Sequence, residues 1–242
     1  MLMALSSWPE VEAYLQRSRT VVIPIGSNEQ HGPTGLLGTD WLCAEIIAHE
    51  AQRSADILVA PTFNVGMAQH HLGFPGTISL RPSTFLAVFR DWVRSLAGHG
   101  FQRLYFLNGH GGNIASIEAS FSEIYAEDSF RRADVGFAMR LVNWWDLDGV
   151  QALIKELFPT DHGMHGTPSE IAVTQFGYPD HIKKAELPAA AGGSTIRDAM
   201  HYRANYPDGR IGSNPALATP EKGRILVTRA VSSMIADIAT GW

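Results

Sequence analysis

Three short stretches of the chain concentrate acids and imidazoles. Glu29, His31 and Asp40 fall in GSNEQHGPTGLLGTD (26–40), His110 sits in NGHGGN (108–113), and Asp161, His162, His165 and Glu170 crowd DHGMHGTPSE (161–170). In an extended segment, residues two apart point the same way, so Glu29 and His31 converge on one point. After a loop, Asp40 can return to that point. Mixed carboxylate oxygens and imidazole nitrogens suit a divalent zinc, manganese or iron ion. The pattern predicts a metal site.

Each candidate has a plainer reading. His110 is either a ligand or part of a phosphate-cradling loop. The second reading is weakened because the dinucleotide fingerprint needs a third glycine where Ile114 stands, and no Lys-Ser/Thr pair follows. Thr167-Pro168-Ser169-Glu170 is a capping box, so Glu170 stays open between ligand and helix cap. Asp40 either begins a helix or bridges two cations. Of the adjacent His70 and His71, at most one reaches the site, and His71 is placed toward substrate. Cys43, the only cysteine, reads as buried packing inside a helix. His49, His99, His181 and His201 lack acidic neighbours of this kind and read as surface or satisfied core residues.

Alternating strands and helices must position these groups. TVVIPI (20–25), 56–60, RLYFL (103–107) and 135–142 read as strands, the first an unbroken apolar run of the kind buried on both faces. Helices are expected from a Ser7–Glu10 capping box to about Leu15, over 40–52, from a Ser83 cap through Leu96, over 114–125, and from about Thr219 to the end. Trp144-Trp145 is expected to end a strand in the core. Short connections between alternating elements predict a parallel sheet with helices on both faces, in one domain spanning 1–242. Ligands in such sheets gather at the carboxyl ends of strands, where Glu29, His31 and His110 fall. The segment 180–218, rich in Ala, Gly, Pro and Asn, reads as an irregular lid or interface.

The 242 residues suffice for a substantial core. A net charge of −5 gives no electrostatic reason for a nucleic-acid or anionic-membrane partner. No run of 18 apolar residues exists, no disulfide can form within the chain, and the first ten residues lack a signal peptide's basic start. A soluble cytoplasmic protein is expected.

In order along the chain, GSNEQHGPTGLLGTD, FPGTISL (74–80), NGHGGN and the His165-to-Glu170 spacing resemble the creatininase (creatinine amidohydrolase) family. The resemblance implies a three-layer α/β/α sandwich holding two divalent ions, zinc or manganese. It places Glu29, His31, Asp40, His110 and Glu170 on the ligand positions, Asp40 bridging, and His165 as the catalytic histidine. Gly111, Gly112, His71 and His162 are expected to contact substrate. A hexameric homo-oligomer is also implied. Creatininases themselves carry Tyr-Glu where this chain has Gly111-Gly112, and a Trp-Asp pair where it has Asp161-His162, which points away from creatinine. The expected chemistry is hydrolysis of a small cyclic or formyl amide by a hydroxide bridging the two cations, with His165 passing the proton. The alternatives are a deformylase or small-peptide-trimming member of the same family, or a small-molecule or nucleotide-binding module without catalysis.

Overall fold

A computed structural model describes residues 1–193 and 195–242. Four parallel strands, β1 (Thr20–Ile25), β2 (Leu58–Val59), β3 (Arg103–Asn108) and β4 (Ala138–Asn143), form one sheet in the order β2-β1-β3-β4. Side chains alternate across a strand, and here the alternation builds two cores. Val22, Val59, Tyr105 and Leu107 face a core completed by α2 (Thr39–Ser54), α5 (Val150–Leu157), α6 (Pro168–Gly177) and α8 (Pro220–Ala239). Val21, Ile23, Ile25, Leu104 and Phe106 face the other, completed by α1 (Trp8–Leu15), α3 (Pro82–Gly98) and α4 (Ile114–Phe130). The result is the expected three-layer α/β/α sandwich.

Most differences from the expected elements lie at their ends. Helix α3 starts at Pro82 behind Arg81, one residue before the anticipated Ser83 cap, because proline's fixed φ suits a first helical position. Helix α4 runs on to Phe130, and β4 begins at Ala138 rather than 135. Trp144 and Trp145 lie not in the strand but in a 3₁₀ turn that follows it. The segment 180–218, of which residue 194 lies outside the described residues, contains α7 (Ala199–Asn205). It is pinned to the body by the buried Tyr202, Tyr206 and Arg210. The Arg210 guanidinium pairs with Asp208 at 2.7 Å and donates to the Ser213 and Pro188 carbonyls at 2.8 and 2.6 Å. Short polar residues around it hid this anchoring from a composition-based reading. Among the described residues no helix is long and apolar enough to cross a membrane.

Candidate metal centre

The chain order turns outward from β1 on one side to β2 and on the other to β3, so the cleft between the ends of β1 and β3 is the topological switch point. Residues 26–40 leave β1 there and 108–113 leave β3. Helix α2 then starts directly above both strand ends. Glycines make this approach possible: a Cβ on Gly109 would lie 1.9 Å from the Asp40 carbonyl oxygen, and one on Gly26 would lie 2.3 Å from the Trp41 nitrogen. Asp40 is thereby lowered between the two strands.

The motif segments lock one another in place. In FPGTISL, the Ile78 amide donates to the Asn28 carbonyl at 2.9 Å, and the Thr77 hydroxyl accepts from the Gln30 amide at 3.3 Å. In NGHGGN, Asn108 donates to the His110 carbonyl at 2.7 Å, and Asn113 donates to the Gly26 carbonyl at 3.0 Å. These two asparagines position the loop rather than enter the site.

Glu29, His31, Asp40, His110, His165 and Glu170 converge in three overlapping sets able to hold a metal ion: Glu29 with Asp40 and His110, His31 with Asp40 and Glu170, and Glu29 with His31 and His165. Asp40 belongs to the first two, with Oδ2 3.0 Å from His110 Nδ1 and Oδ1 3.0 Å from His31 Nε2. Glu29 Oε2 is 3.2 Å from His110 Nε2, and Glu170 Oε2 is 3.9 Å from His31 Nε2. Ligands about 2.1 Å from a tetrahedral zinc stand about 3.4 Å from each other, so the spacings of Asp40 to His110 Nδ1 and His31 Nε2, and of Glu170 to His31 Nε2, fit shared ions. Glu29 meets His110 at its other nitrogen.

The outer hydrogen bonds fix which imidazole nitrogen faces inward, because a carbonyl can only accept. His31 Nδ1 donates to the Glu29 carbonyl at 3.0 Å, His110 Nε2 to the Met67 carbonyl at 2.9 Å, and His165 Nε2 to the Gln30 carbonyl at 2.6 Å. Each neutral ring therefore turns a bare nitrogen inward, the arrangement metal-binding histidines adopt. Opposite them both Glu29 carboxylate oxygens and Asp40 Oδ2 are buried with no hydrogen-bond partner. His110 Nδ1 and Asp40 Oδ2 lie close, yet off the axis a hydrogen bond between them would need. Lone pairs facing buried carboxylate oxygens repel unless a cation or a proton sits between them. The residues present fit divalent ions.

Without a cation the same cluster holds protons. Burial opposes charge on His31, but Asp40 and Glu170 outweigh it and raise the ring's pKa to about 10. Burial likewise opposes charge on His110, and Glu29 and Asp40 raise it to about 9. Burial would push Asp40 upward, but His31 and His110 outweigh it and hold the carboxyl well below its usual range. Glu29 and Glu170 move upward, chiefly through burial. His165, buried and flanked by His31 and His71, is pushed far down and stays neutral.

Glu170 turns out to do two things at once. Its Oε1 accepts from the Thr167 amide at 2.5 Å, closing the capping box of α6, while Oε2 faces His31. The ligand and cap readings are compatible because a carboxylate has two oxygens. His71 is brought close, with Nε2 3.1 Å from Glu29 Oε1, but it is buried behind the carboxylate rather than in the cleft. Gly112 is exposed beside the His110 ring and does not line the cleft; a Cβ there would meet His110 Nε2 at 2.4 Å. Gly111 and His162 do line the cleft, a pocket of about 230 Å³ walled by Trp144, Trp145 and Met164 and floored by Asp40, His110 and Glu170. His162 Nε2 bonds to Ser169 Oγ at 2.8 Å. Cys43 is buried, its thiol 3.4 Å from the Glu170 carbonyl and pushed well up by burial, as packing requires.

Sequence reasoning passed over Gln30. Strict alternation would turn it away from the site, yet its amide is buried against His71 and His165, at 2.9 and 3.0 Å. Tyr202 was also missed. Its ring packs against His71 with centroids 4.7 Å apart and planes inclined at 59°, and it comes from a segment with no local signal of its role.

The creatininase family profile, described as creatinine amidohydrolase, matches residues 4–238. The chain belongs to the creatininase family. Creatinine amidohydrolase of Pseudomonas putida is 30% identical over 191 residues, covering 73% of this chain and 71% of that protein. The mycofactocin precursor peptide peptidase of Mycolicibacterium smegmatis is 37% identical over 106 residues, 41% of this chain. That match spans only 42% of the peptidase. A manganese form of creatininase shares the fold with a TM-score of 0.83 at 24% identity, covering 99% of this chain and 98% of that one. Membership makes this chain a creatininase-family hydrolase, and the candidate ligands point to divalent metal.

Proposed function

We propose that the chain hydrolyses a small, non-peptide amide, cyclic or formyl, at a two-ion centre. One ion would be held by Glu29, Asp40 and His110, the other by His31, Asp40 and Glu170, with Asp40 shared. The observation that carries the reading is the set of inward bare nitrogens opposite unpartnered, buried carboxylate oxygens. When bound, zinc or manganese lowers the pKa of an attacking water and polarises the amide carbonyl.

The chain's own groups supply the rest. His165 Nδ1 faces Glu29 Oε1 at 3.9 Å, while its Nε2–H is tied to the Gln30 carbonyl. That leaves Nδ1 free to take a proton from the attacking water and deliver it to the leaving nitrogen. The C–N bond breaks as the new C–O bond forms, and the proton ends on the amine. Trp144, Trp145 and Met164 give the cleft an apolar wall, and His162 and Gly111 offer polar contacts to the substrate. Among the described residues no Lys or Arg lines the cleft, which favours a neutral amide.

Identity to the mycobacterial peptidase favours a second reading, trimming of a short peptide at the same centre. A panel of creatinine, other cyclic amides, formamides and short peptides, assayed with zinc- and manganese-loaded protein, separates the two. Metal content by mass spectrometry tests the centre itself: about two ions per chain are expected, lost or halved in Glu29→Ala. Wild-type protein that takes up no metal on reconstitution would sink the proposal and favour a binding module. His165→Ala should keep its metal and lose a factor of about 10²–10⁴ in turnover. Loss of an ion in that variant would instead make His165 a ligand. Sedimentation of the intact chain tests the expected homo-oligomer.

A further inference from the structure

Gln30 sits between two of the ligand positions and touches no substrate space, yet its polar atoms are all engaged. Its Oε1 accepts from the Gly32 amide at 2.8 Å, and its Nε2 donates to the Gly209 carbonyl at 2.9 Å. These two backbone partners fix which end of the side-chain amide is oxygen and which is nitrogen. Nε2 also stands 2.9 Å from His71 Nδ1 and 3.0 Å from His165 Nε2; the latter donates to the Gln30 carbonyl and cannot accept, so the second Nε2 hydrogen goes to His71 Nδ1. His71 Nδ1 must therefore be bare, and the ring proton sits on Nε2, 3.1 Å from Glu29 Oε1. An Nδ1 that accepts from the Gln30 amide carries no proton, so the ring is neutral.

The main chain of the same residue acts on a second imidazole. The Gln30 carbonyl accepts from His165 Nε2 at 2.6 Å, leaving His165 Nδ1 bare and 3.9 Å from the same Glu29 oxygen. The two rings lie 4.4 Å apart, 31° from parallel. They carry the same tautomer but present it oppositely: His71 turns its protonated nitrogen, and His165 its lone pair, toward the side of Glu29 Oε1.

We propose that Gln30 is a positioning residue that sets both presentations, keeping a proton on the His71 nitrogen nearest Glu29 so that this ring cannot ligate a metal, while freeing His165 Nδ1 for chemistry. The role of His165 rests on the hydrolase reading above; the tautomers do not. Gly209 shares in the device. Its carbonyl accepts from Gln30 Nε2 and from the Tyr202 hydroxyl at 2.7 Å, and it has a φ of +86°. A Cβ there would lie 1.8 Å from Gln30 Oε1 and evict the amide. Through this carbonyl, the segment after α7 holds the histidines in order from outside the site.

The test is ¹⁵N NMR of the histidine rings in the metal-free, full-length protein, which reports tautomers with no metal or substrate present. In wild type, His71 and His165 should both show a pyridine-type Nδ1 and a pyrrole-type Nε2. Gln30→Met removes the side-chain donor but keeps the main-chain carbonyl, so the His71 pattern should change and that of His165 persist. Gln30→Glu should move the His71 proton to Nδ1, because a carboxylate there needs a donor. Gly209→Ala should reproduce the Gln30→Met pattern. Three results would overturn the proposal: a wild-type His71 protonated at Nδ1, a His71 pattern unmoved by both Gln30 variants, or His71 and His165 shifting together in Gln30→Met. Because no turnover is measured, failure here is distinct from failure of the hydrolase reading.

Discussion

Loading the centre with zinc should expel protons, and the structure says how many to expect. In the metal-free protein at pH 7 the His31 and His110 rings, raised to about 10 and about 9, are both cationic. Their outer nitrogens already donate to the Glu29 and Met67 carbonyls. The additional proton on each therefore occupies the inward nitrogen, the lone pair that an ion requires. Two ions would displace two protons from the imidazoles, and Glu29 and Glu170, whose carboxyls burial pushes upward, can only add to that number. Each displaced proton changes the apparent dissociation constant about tenfold per pH unit, so two give about a hundredfold, or about 3 kcal/mol of overall binding free energy. Between pH 6.5 and 8.5 the overall affinity should rise by about four orders of magnitude. Calorimetric titration of metal-free protein with zinc in two buffers of different ionisation enthalpy counts the protons directly. A count near zero, or an affinity flat across that range, would refute the assignment of inward nitrogens. Stability follows the same logic. Because both folded-state pKa values exceed the unfolded value of about 6.5, their stabilisation of the metal-free protein is complete below that pH and lost as pH rises through 9 to 10. Zinc-loaded protein should lack that alkaline decline.

Three other outcomes follow from particular contacts. Glu170→Gln retains an oxygen that can cap α6 but removes the ligand charge, so it should melt near wild type and lose about one ion. Glu170→Ala should lose the ion and also about 1 kcal/mol of cap; full metal occupancy in Glu170→Gln would remove Glu170 from the ligand set. Gly109→Ala drives a methyl to within 1.9 Å of the Asp40 carbonyl, and overpacking of this kind costs about 1–3 kcal/mol. Its melting temperature should fall by roughly 2–12 °C, with weakened metal uptake, and a melt within a degree of wild type would show that α2 can retreat freely. Cys43, buried with its thiol pushed well up, should resist alkylation at pH 8 until the protein unfolds; stoichiometric labelling of folded protein would contradict its packing role.

Much of this molecule was written locally. The apolar run of β1, the capping boxes at Ser7 and Thr167 and the alternation of strands with helices are short-range patterns, and they were enough for the layered architecture. Glu29, His31, Asp40 and His110 drew attention by type, being costly to bury without a partner or a cation, whereas Glu170 stayed open between ligand and cap and His165 was singled out by the family resemblance. The oxygen of Glu170 that caps and the oxygen that faces His31 could not be separated in sequence, since the division depends on where β1 carries His31. The same holds for His71 and Gly112, which sequence placed toward substrate and packing placed behind Glu29 and beside the His110 ring. Gln30 and Tyr202 were invisible for a related reason: each acts through His71, and for Gln30 the deciding partners, His71 and Gly209, lie 41 and 179 residues away in the chain. Residue type decided that ions could be held here. Only the tertiary fold, by lowering Asp40 between β1 and β3 and folding the segment after α7 against Gln30, decided which nitrogen of each ring faces them.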